Sequence, residues 1–185
     1  PAVALAASAC VIPRGLAPAD DLWELLLAGK SLLQPRPHLG LAAPACTFDP
    51  AFAGHAATAL AYAALRNVWP QFQAAPGRAA LWLAATKGDL DDWLANPARQ
   101  PGLSQLAAGL ADRISGLPAP LRTVSNACVS SAQAAIEAAE QLQDGDADRA
   151  LVVGADGLTP FIAQGFHALQ GVSPTGARPF DATRD

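Results

Sequence analysis

Charge is scarce in this chain, and what charge there is does not cluster. Charged residues make up 15% of the 185 positions, the formal net charge is −4, and no two basic residues are adjacent. This pattern excludes the basic patch with which proteins bind nucleic acid. The chain also lacks a continuous apolar run of 18 or more residues, so we predict no membrane span. The opening stretch has no positively charged n-region, and we predict no signal peptide.

Cysteine is also rare, with only Cys10, Cys46 and Cys128. An odd number at wide spacing argues against a disulfide framework, and without a CxxC pair or a Cys/His cluster we expect no metal site. We therefore predict reduced thiols and a cytoplasmic location. Neither GxxxxGK[ST] nor GxGxxG occurs, so a phosphate-binding loop is excluded, and we expect no cofactor.

Apolar residues are abundant, at 51% of the chain. This fraction excludes a disordered chain, and the length suits one domain or one half of a larger pseudo-symmetric unit. Buried strands are predicted at residues 3–12, 79–86, 121–124 and 149–154. Helices are predicted at residues 20–28, 49–69, 90–95, 103–115, 128–143 and 160–170, with a proline-containing loop at 31–48. Because helices alternate with fully apolar strands, we predict an α/β fold with a mostly parallel sheet covered on both faces.

One cysteine lies where a strand gives way to a helix, in "SNACVSSAQAAIEAAEQL", residues 125–142. The first turn of a helix has unpaired N–H groups and a partial positive charge, which lower the pKa of a thiol. The same N–H groups stabilise a developing oxyanion. Cys128 is therefore a candidate nucleophile; the alternative is a small buried hydrophobic residue.

The helix after Cys128 is rich in alanine, and its periodicity gives a prediction about its buried face. Apolar residues recur at helical spacing, and we predict that this stripe packs against the sheet. It consists of Ala132, Ala135, Ile136, Ala139 and Leu142. Glu137, Glu140 and Asp144 are predicted to lie on the solvated side.

Two segments have the residues and the order of a known family. The stretch "TVSNACVSSAQAAIEAAEQLQDGDADRALVVGAD" resembles the active-site region of β-ketoacyl synthases of the thiolase superfamily. There Ala-Cys is followed by small residues and a helix, and a later strand ends in a Gly-Gly-Ala-Glu-like motif, matched here by residues 153–156. The ending "ARPFDATRD" is similar to the family's Arg-Pro-Phe-Asp-x-x-Arg-Asp signature.

The resemblance implies a fold, a reaction and partners. The fold would be the N-terminal half of a thiolase-like domain over residues 1–185, with a five-stranded mixed sheet and helices on both faces. Cys128 would accept an acyl chain and condense it with malonyl-carrier protein, in fatty-acid or polyketide-type elongation. The implied partners are acyl carrier protein and a second ketosynthase-like chain in a homodimer or heterodimer. The two catalytic histidines would lie in a C-terminal half absent from this chain.

Other titratable residues receive structural assignments. His38, His55 and His167 lie outside matching motifs and are assigned no catalytic role. Cys10 and Cys46 are predicted to be buried in apolar surroundings. Asp181, Arg184 and Asp185 are predicted to form an arginine–carboxylate cluster beside a buried Phe180, tying down a loop.

Two other functions remain open at this point. One is a non-catalytic, chain-length-factor-like partner that shapes the pocket of a ketosynthase; such partners usually lack the cysteine. The other is a thiolase-like acyltransferase that uses coenzyme A thioesters.

Overall fold

The structure is a computed structural model, and it describes most of the chain. The described residues are 2–12, 15–17, 19–30, 33–35, 44–45, 56–98 and 102–184. Within these ranges, no helix combines the length and the apolar character needed to cross a bilayer. The predicted start of the second helix, at residue 49, falls outside them.

Seven strands and six helices are described, and most are short. In chain order they are β1 (Cys10–Ile12), β2 (Gly15–Ala17), α1 (Ala19–Leu27), β3 (Gln34–Pro35), β4 (Pro44–Ala45), α2 (Ala56–Ala74), β5 (Ala79–Ala84), α3 (Leu90–Ala95), α4 (Leu103–Ala111), β6 (Leu121–Val124), α5 (Ser130–Gln143), β7 (Arg149–Gly154) and α6 (Pro160–Ala168). The predicted boundaries of α3, β6 and β7 are confirmed, and the helices predicted at 20–28, 103–115, 128–143 and 160–170 lie within a few residues of the described ones. The end predicted for the second helix, at residue 69, is too early, because α2 continues to Ala74.

A three-stranded parallel sheet forms the centre of the fold, with the order β6-β5-β7. Leu81 is paired with Leu121 on one side and with Leu151 on the other. Parallel strands are joined by crossover connections, and here α3 and α4 lie between β5 and β6 along the chain, and α5 lies between β6 and β7. The prediction of a parallel sheet flanked by helices is confirmed.

The two faces of β5 pack against different helices. Leu81 and Leu83 point into a core built with α2 and α4. Ala80, Trp82 and Ala84 point into a second core built with α5. This alternation follows from the two-residue repeat of a strand. Because β5 is buried on both faces, it reads in sequence as a continuous apolar run, as predicted.

The five-stranded mixed sheet is not found among the described residues. Its predicted first strand, residues 3–12, is wrong over most of its length, because residues 2–9 have no regular secondary structure and Leu5 is 86% exposed. Only β1 forms from that run, and it pairs antiparallel with β2. An apolar run predicts burial in a strand, but it does not specify which neighbour will supply the hydrogen bonds.

The face that α5 turns towards the sheet differs from the prediction. Ser130, Ala134 and Ala138 are buried, whereas Ala132, Ala135 and Ile136 are exposed, Ile136 at 60%. The apolar arc of α5 is broad and consists mostly of alanine, so periodicity did not select which part of it is buried. Packing placed the smallest side chains against the sheet.

Candidate active site

The carboxyl ends of β5, β6 and β7 meet at one edge of the sheet because the strands are parallel. We call this the carboxyl edge, and the opposite side the amino edge. Thr86 follows β5, Ser125 follows β6 and Asp156 follows β7. In open α/β sheets, ligands bind outside the carboxyl ends of the strands. The carboxyl edge is therefore the expected location of an active site.

Cys128 lies at this edge, in the turn between β6 and α5. The Val129 N–H donates to the Asn126 carbonyl at 3.1 Å, and the Ser130 N–H donates to the Ala127 carbonyl at 3.3 Å. Ala127 has φ +46°, in the left-handed region that side-chain-bearing residues rarely adopt. The result is a tight turn that leaves Cys128 exposed.

The hydroxyl of Ser130 closes this turn from the inside. Ser130 is only 3% exposed, and its Oγ accepts from the Asn126 N–H at 2.8 Å and donates to the Ala127 carbonyl at 2.7 Å. On the outer side, Asn126 Nδ2 donates to Gln133 Oε1 at 2.6 Å, and Gln133 Nε2 donates to Glu137 Oε1 at 2.7 Å. Glu137, predicted as a solvated residue, is half-buried and ends this series of bonds.

The electrostatic setting of Cys128 comes from α5. This helix has 14 residues, its first turn contains no acidic side chain, and its N-cap residue Val129 makes no side-chain cap. The positive end of the helix dipole therefore faces the turn without a neighbouring carboxylate from that first turn. The nucleophilic role of Cys128 remains a prediction.

The protein-family model for the β-ketoacyl synthase N-terminal domain matches residues 73–185, which is more than half of the chain. This chain belongs to the β-ketoacyl synthase family. Its members are condensing enzymes that transfer acyl groups, and their thiolase-like architecture agrees with the parallel sheet described above. The matched segment contains all three strands of that sheet together with Cys128. No curated protein matches the chain.

In this β-ketoacyl synthase domain, the first turn of α5 rests directly on the end of β7. A Cβ built on Gly154 would overlap the Ser131 hydroxyl and would lie 3.3 Å from Ser131 Cβ. Glycine at 154 therefore allows α5 to approach β7 closely. Gly154 lies in the family-like motif at residues 153–156, but its close contact with Ser131 could not be predicted from that motif.

A buried aspartate follows β5 at the same edge. Asp89 is 8% exposed, and its Oδ1 accepts from the N–H groups of Ala57 at 2.8 Å and Thr58 at 3.2 Å. The Thr58 hydroxyl donates to Oδ2. Asp89 thus caps the start of α2 from more than 30 residues away. Sequence reasoning missed this role, because capping is usually looked for in the residues just before a helix.

An open groove lies beside the β5 and β6 ends. It has a volume of about 600 Å³ and is lined by Thr86, Lys87, Gly102, Leu103, Ser104, Ala107, Leu121, Thr123 and Ser125. Its polar lining residues come mainly from the carboxyl edge. Ser125 links this groove to the chain segment that leads into the Cys128 turn.

The Arg-Pro-Phe-Asp segment folds mainly onto itself. Arg178 donates to the Thr183 carbonyl and Arg184 to the Asp181 carbonyl, each at 2.9 Å. The main-chain and hydroxyl donors of Thr183 lower the pKa of Asp181. The prediction of a buried Phe180 is wrong, because this side chain is fully exposed. Asp185 lies outside the described residues.

The remaining cysteines and histidines are placed only in part. Cys10, predicted to be buried, is half-buried in β1, and His167 is exposed in the last turn of α6. Cys46, His38 and His55 lie outside the described residues. In the part of the chain that the structure describes, no three Cys, His, Asp or Glu side chains come together as metal ligands would.

Proposed function

We propose that this chain is the N-terminal half of a ketosynthase in which Cys128 accepts an acyl group and passes it to a malonyl-derived carbanion. The observation that supports this proposal is the position of Cys128: it is exposed, it precedes α5, and it lies inside the family match. The substrates would be thioesters of an acyl carrier protein, in fatty-acid or polyketide-type elongation in the cytoplasm.

In the first half-reaction, the Cys128 thiolate attacks the carbonyl carbon of the acyl thioester. A bond forms between that carbon and the Cys128 sulfur, and the negative charge moves to the carbonyl oxygen. The Cys128 N–H is the donor we propose for this oxyanion. When the tetrahedral intermediate collapses, the carbon–sulfur bond to the carrier breaks. The carrier leaves as a thiolate that takes up a proton, and the acyl group stays on Cys128.

In the second half-reaction, malonyl-carrier loses its terminal carboxylate as CO₂, and the bonding electrons remain on the α-carbon. This carbanion attacks the acyl carbonyl on Cys128, a carbon–carbon bond forms, and the Cys128 thiolate is released. The enolate that precedes attack needs hydrogen-bond donors, for which imidazoles are well suited. We propose that two histidines of a C-terminal half, on this polypeptide or on a companion chain, provide them.

The exposed apolar surface around Cys128 supports a covering partner. Val129 is 52% exposed and Ile136 is 60% exposed, and helical spacing puts both with Ala132 on one side of the turn and α5. At the other flank, β6 is at the edge of the described sheet, and Arg122 and Thr123 are exposed on it. We propose that the β6 edge pairs with a second ketosynthase-like chain, giving a dimer.

The test uses the complete protein with any companion chain. Wild type and the variant Cys128→Ala are incubated with an acyl-carrier thioester and, separately, with the matching coenzyme A thioester, and the acylated residue is identified by mass spectrometry. We expect acylation of Cys128 from the carrier thioester and none in Cys128→Ala. Folding should be retained, because alanine fits among the small residues of this turn. Light scattering of the same preparation should show a dimer.

The other outcomes each point to one alternative. Acylation on Cys10 or Cys46, or none on Cys128, would overturn the proposal in favour of a non-catalytic partner subunit. Faster acylation from coenzyme A than from the carrier would favour the thiolase-like acyltransferase. A monomer at high concentration would remove the dimer from the proposal.

A further inference from the structure

The family-like motif at the end of β7 contains an aspartate that the reaction scheme leaves without a role. The Asp156 carboxylate lies just past β7 and accepts from Thr86, which lies just past β5. The Thr86 N–H donates to Oδ1 at 2.8 Å and to Oδ2 at 3.0 Å, and the Thr86 hydroxyl donates to Oδ1 at 2.8 Å. Hydrogen bonds to a carboxylate are among the stronger ones in proteins. Asp156 therefore fixes the position of Thr86.

Thr86 in turn contacts the residue that follows β6. Its carbonyl accepts a hydrogen bond from the Ser125 hydroxyl at 3.1 Å. Ser125 follows β6 and is the residue from which the Cys128 turn departs. One series of hydrogen bonds thus crosses the carboxyl edge from β7 through β5 to β6 and ends three residues before Cys128.

The restraint acts at the point where the β-ladder ends. The last pair between β5 and β6 is Ala84 with Val124, followed by a single bond from the Ala85 N–H to the Val124 carbonyl at 3.3 Å. Ser125 is the first residue past this point, and two residues later Ala127 must hold a left-handed backbone. A turn of this kind persists when its surroundings determine it.

We infer that Asp156 is a positioning residue for Cys128, acting through Thr86 and Ser125. The carboxylate holds Thr86, the Thr86 carbonyl holds Ser125, and the start of the Cys128 turn is thereby fixed relative to β5 and β7. This inference rests on the proposed function, in which Cys128 is acylated. A displacement of about 1 Å near a reacting group costs on the order of 100-fold in rate.

The experiment compares three substitutions in the complete protein. Asp156→Ala removes every acceptor, whereas Asp156→Asn removes the charge but keeps one side-chain oxygen for the two Thr86 donors. Asp148→Ala is the matched control, because Asp148 accepts from the Arg78 N–H at the opposite, amino edge. For each protein we would measure the rate of acyl transfer to Cys128, its alkylation by iodoacetamide as a function of pH, and the melting temperature.

We expect Asp156→Ala to slow acylation by about tenfold or more, within the range that misplacement produces. Asp156→Asn should stay within about threefold of wild type, because positioning depends on the acceptor and not on the charge. The acylation rate of Asp148→Ala should stay within about twofold of wild type, even if its melting temperature falls as far as that of Asp156→Ala. A wild-type rate in Asp156→Ala, or an equal loss in Asp148→Ala, would overturn the inference.

Two further measurements keep the test decisive. If Asp156→Ala does not fold, Ser125→Ala replaces it, since it removes only the last hydrogen bond of the series from an exposed position. Acylation unchanged in Ser125→Ala would then overturn the inference. If wild type is not acylated at all, the proposed function fails, and iodoacetamide still reports on the turn. Slower alkylation of Cys128 in Asp156→Ala than in Asp148→Ala supports positioning, and equal alkylation refutes it.

Discussion

The two edges of the parallel sheet are stabilised by the same kind of aspartate hydrogen bond, but the two bonds connect to different parts of the fold. At each edge, an aspartate next to β7 accepts a backbone N–H from the residue next to β5. Asp148 accepts from Arg78 at 2.7 Å at the amino edge, and Asp156 accepts from Thr86 at 2.8 Å at the carboxyl edge. The tie at the amino edge is reinforced by an ion pair with the Arg78 guanidinium, whereas the tie at the carboxyl edge is reinforced by a hydroxyl.

What differs is where each tie leads. At the amino edge, the Arg78 guanidinium reaches back to the Gly145 carbonyl, and Arg149 Nη1 donates to the Gly77 carbonyl at 2.7 Å. These contacts join the turns before β5 and β7. At the carboxyl edge, the tie continues to Ser125 and to the turn that contains Cys128. An aspartate that joins two strand ends is thus a general stabilising contact. At the carboxyl edge, the same contact also positions the turn that contains Cys128, as inferred above.

The largest effect on stability is expected from the buried aspartate of the carboxyl edge. Asp89→Ala leaves two N–H groups at the start of α2 and the Thr58 hydroxyl without their acceptor. We expect a loss of about 3 kcal/mol in the free energy of unfolding, measured by urea denaturation. Asp148→Ala, at an exposed position, should cost clearly less. Equal losses of unfolding free energy in Asp89→Ala and Asp148→Ala would contradict the expectation that the buried aspartate stabilises more than the exposed one.

A smaller loss is expected where α5 approaches β7. Gly154→Ala forces the new methyl group against the Ser131 hydroxyl and should cost about 1–3 kcal/mol. Ser131→Ala should be nearly neutral alone but should recover at least half of that loss in the double variant, because it removes the overlapping atom. Gly165→Ala, at a helical position with nothing within 4 Å, is the control and should not destabilise. Strictly additive effects at positions 131 and 154 would contradict this packing account.

The smallest effect concerns the ion pair of the amino edge and depends on pH. The side-chain hydrogen bond from Arg78, followed by its backbone N–H, lowers the pKa of Asp148. The stabilisation is therefore fully present above the pKa of an unfolded aspartate, at about pH 4, and is lost as the pH falls through the lowered value. The gap in urea midpoint between wild type and Asp148→Asn should shrink from about pH 6 to about pH 3, most clearly at low salt. A gap that stays constant would refute this.

Local pattern was sufficient for the central elements. β6 and β7 were predicted with their described boundaries because β6 is a short β-type run and β7 a short, mostly apolar run, each between turn residues. Cys128 was predicted at the joint between β6 and α5. The buried face of α5 was not, since its apolar arc is broad and mostly alanine, and nothing within that arc marks the part that packs on the sheet. The strand predicted at residues 3–12 was wrong over most of its length for a related reason: an apolar run has no register until a partner strand is specified.

The amino-acid sequence was enough to predict the α/β class, the order of the central strands and helices along the chain, and the family, through the residues around Cys128 and in the Arg-Pro-Phe-Asp segment. These depend on short-range preferences and on motifs that are contiguous in the chain. Three features became visible only in the folded chain: the buried side of α5, the capping of α2 by Asp89, and the contact of Asp156 with Thr86 across 70 positions. Such contacts depend on how packed strands align their ends, and that alignment is a property of the whole sheet and is absent from any local stretch of sequence.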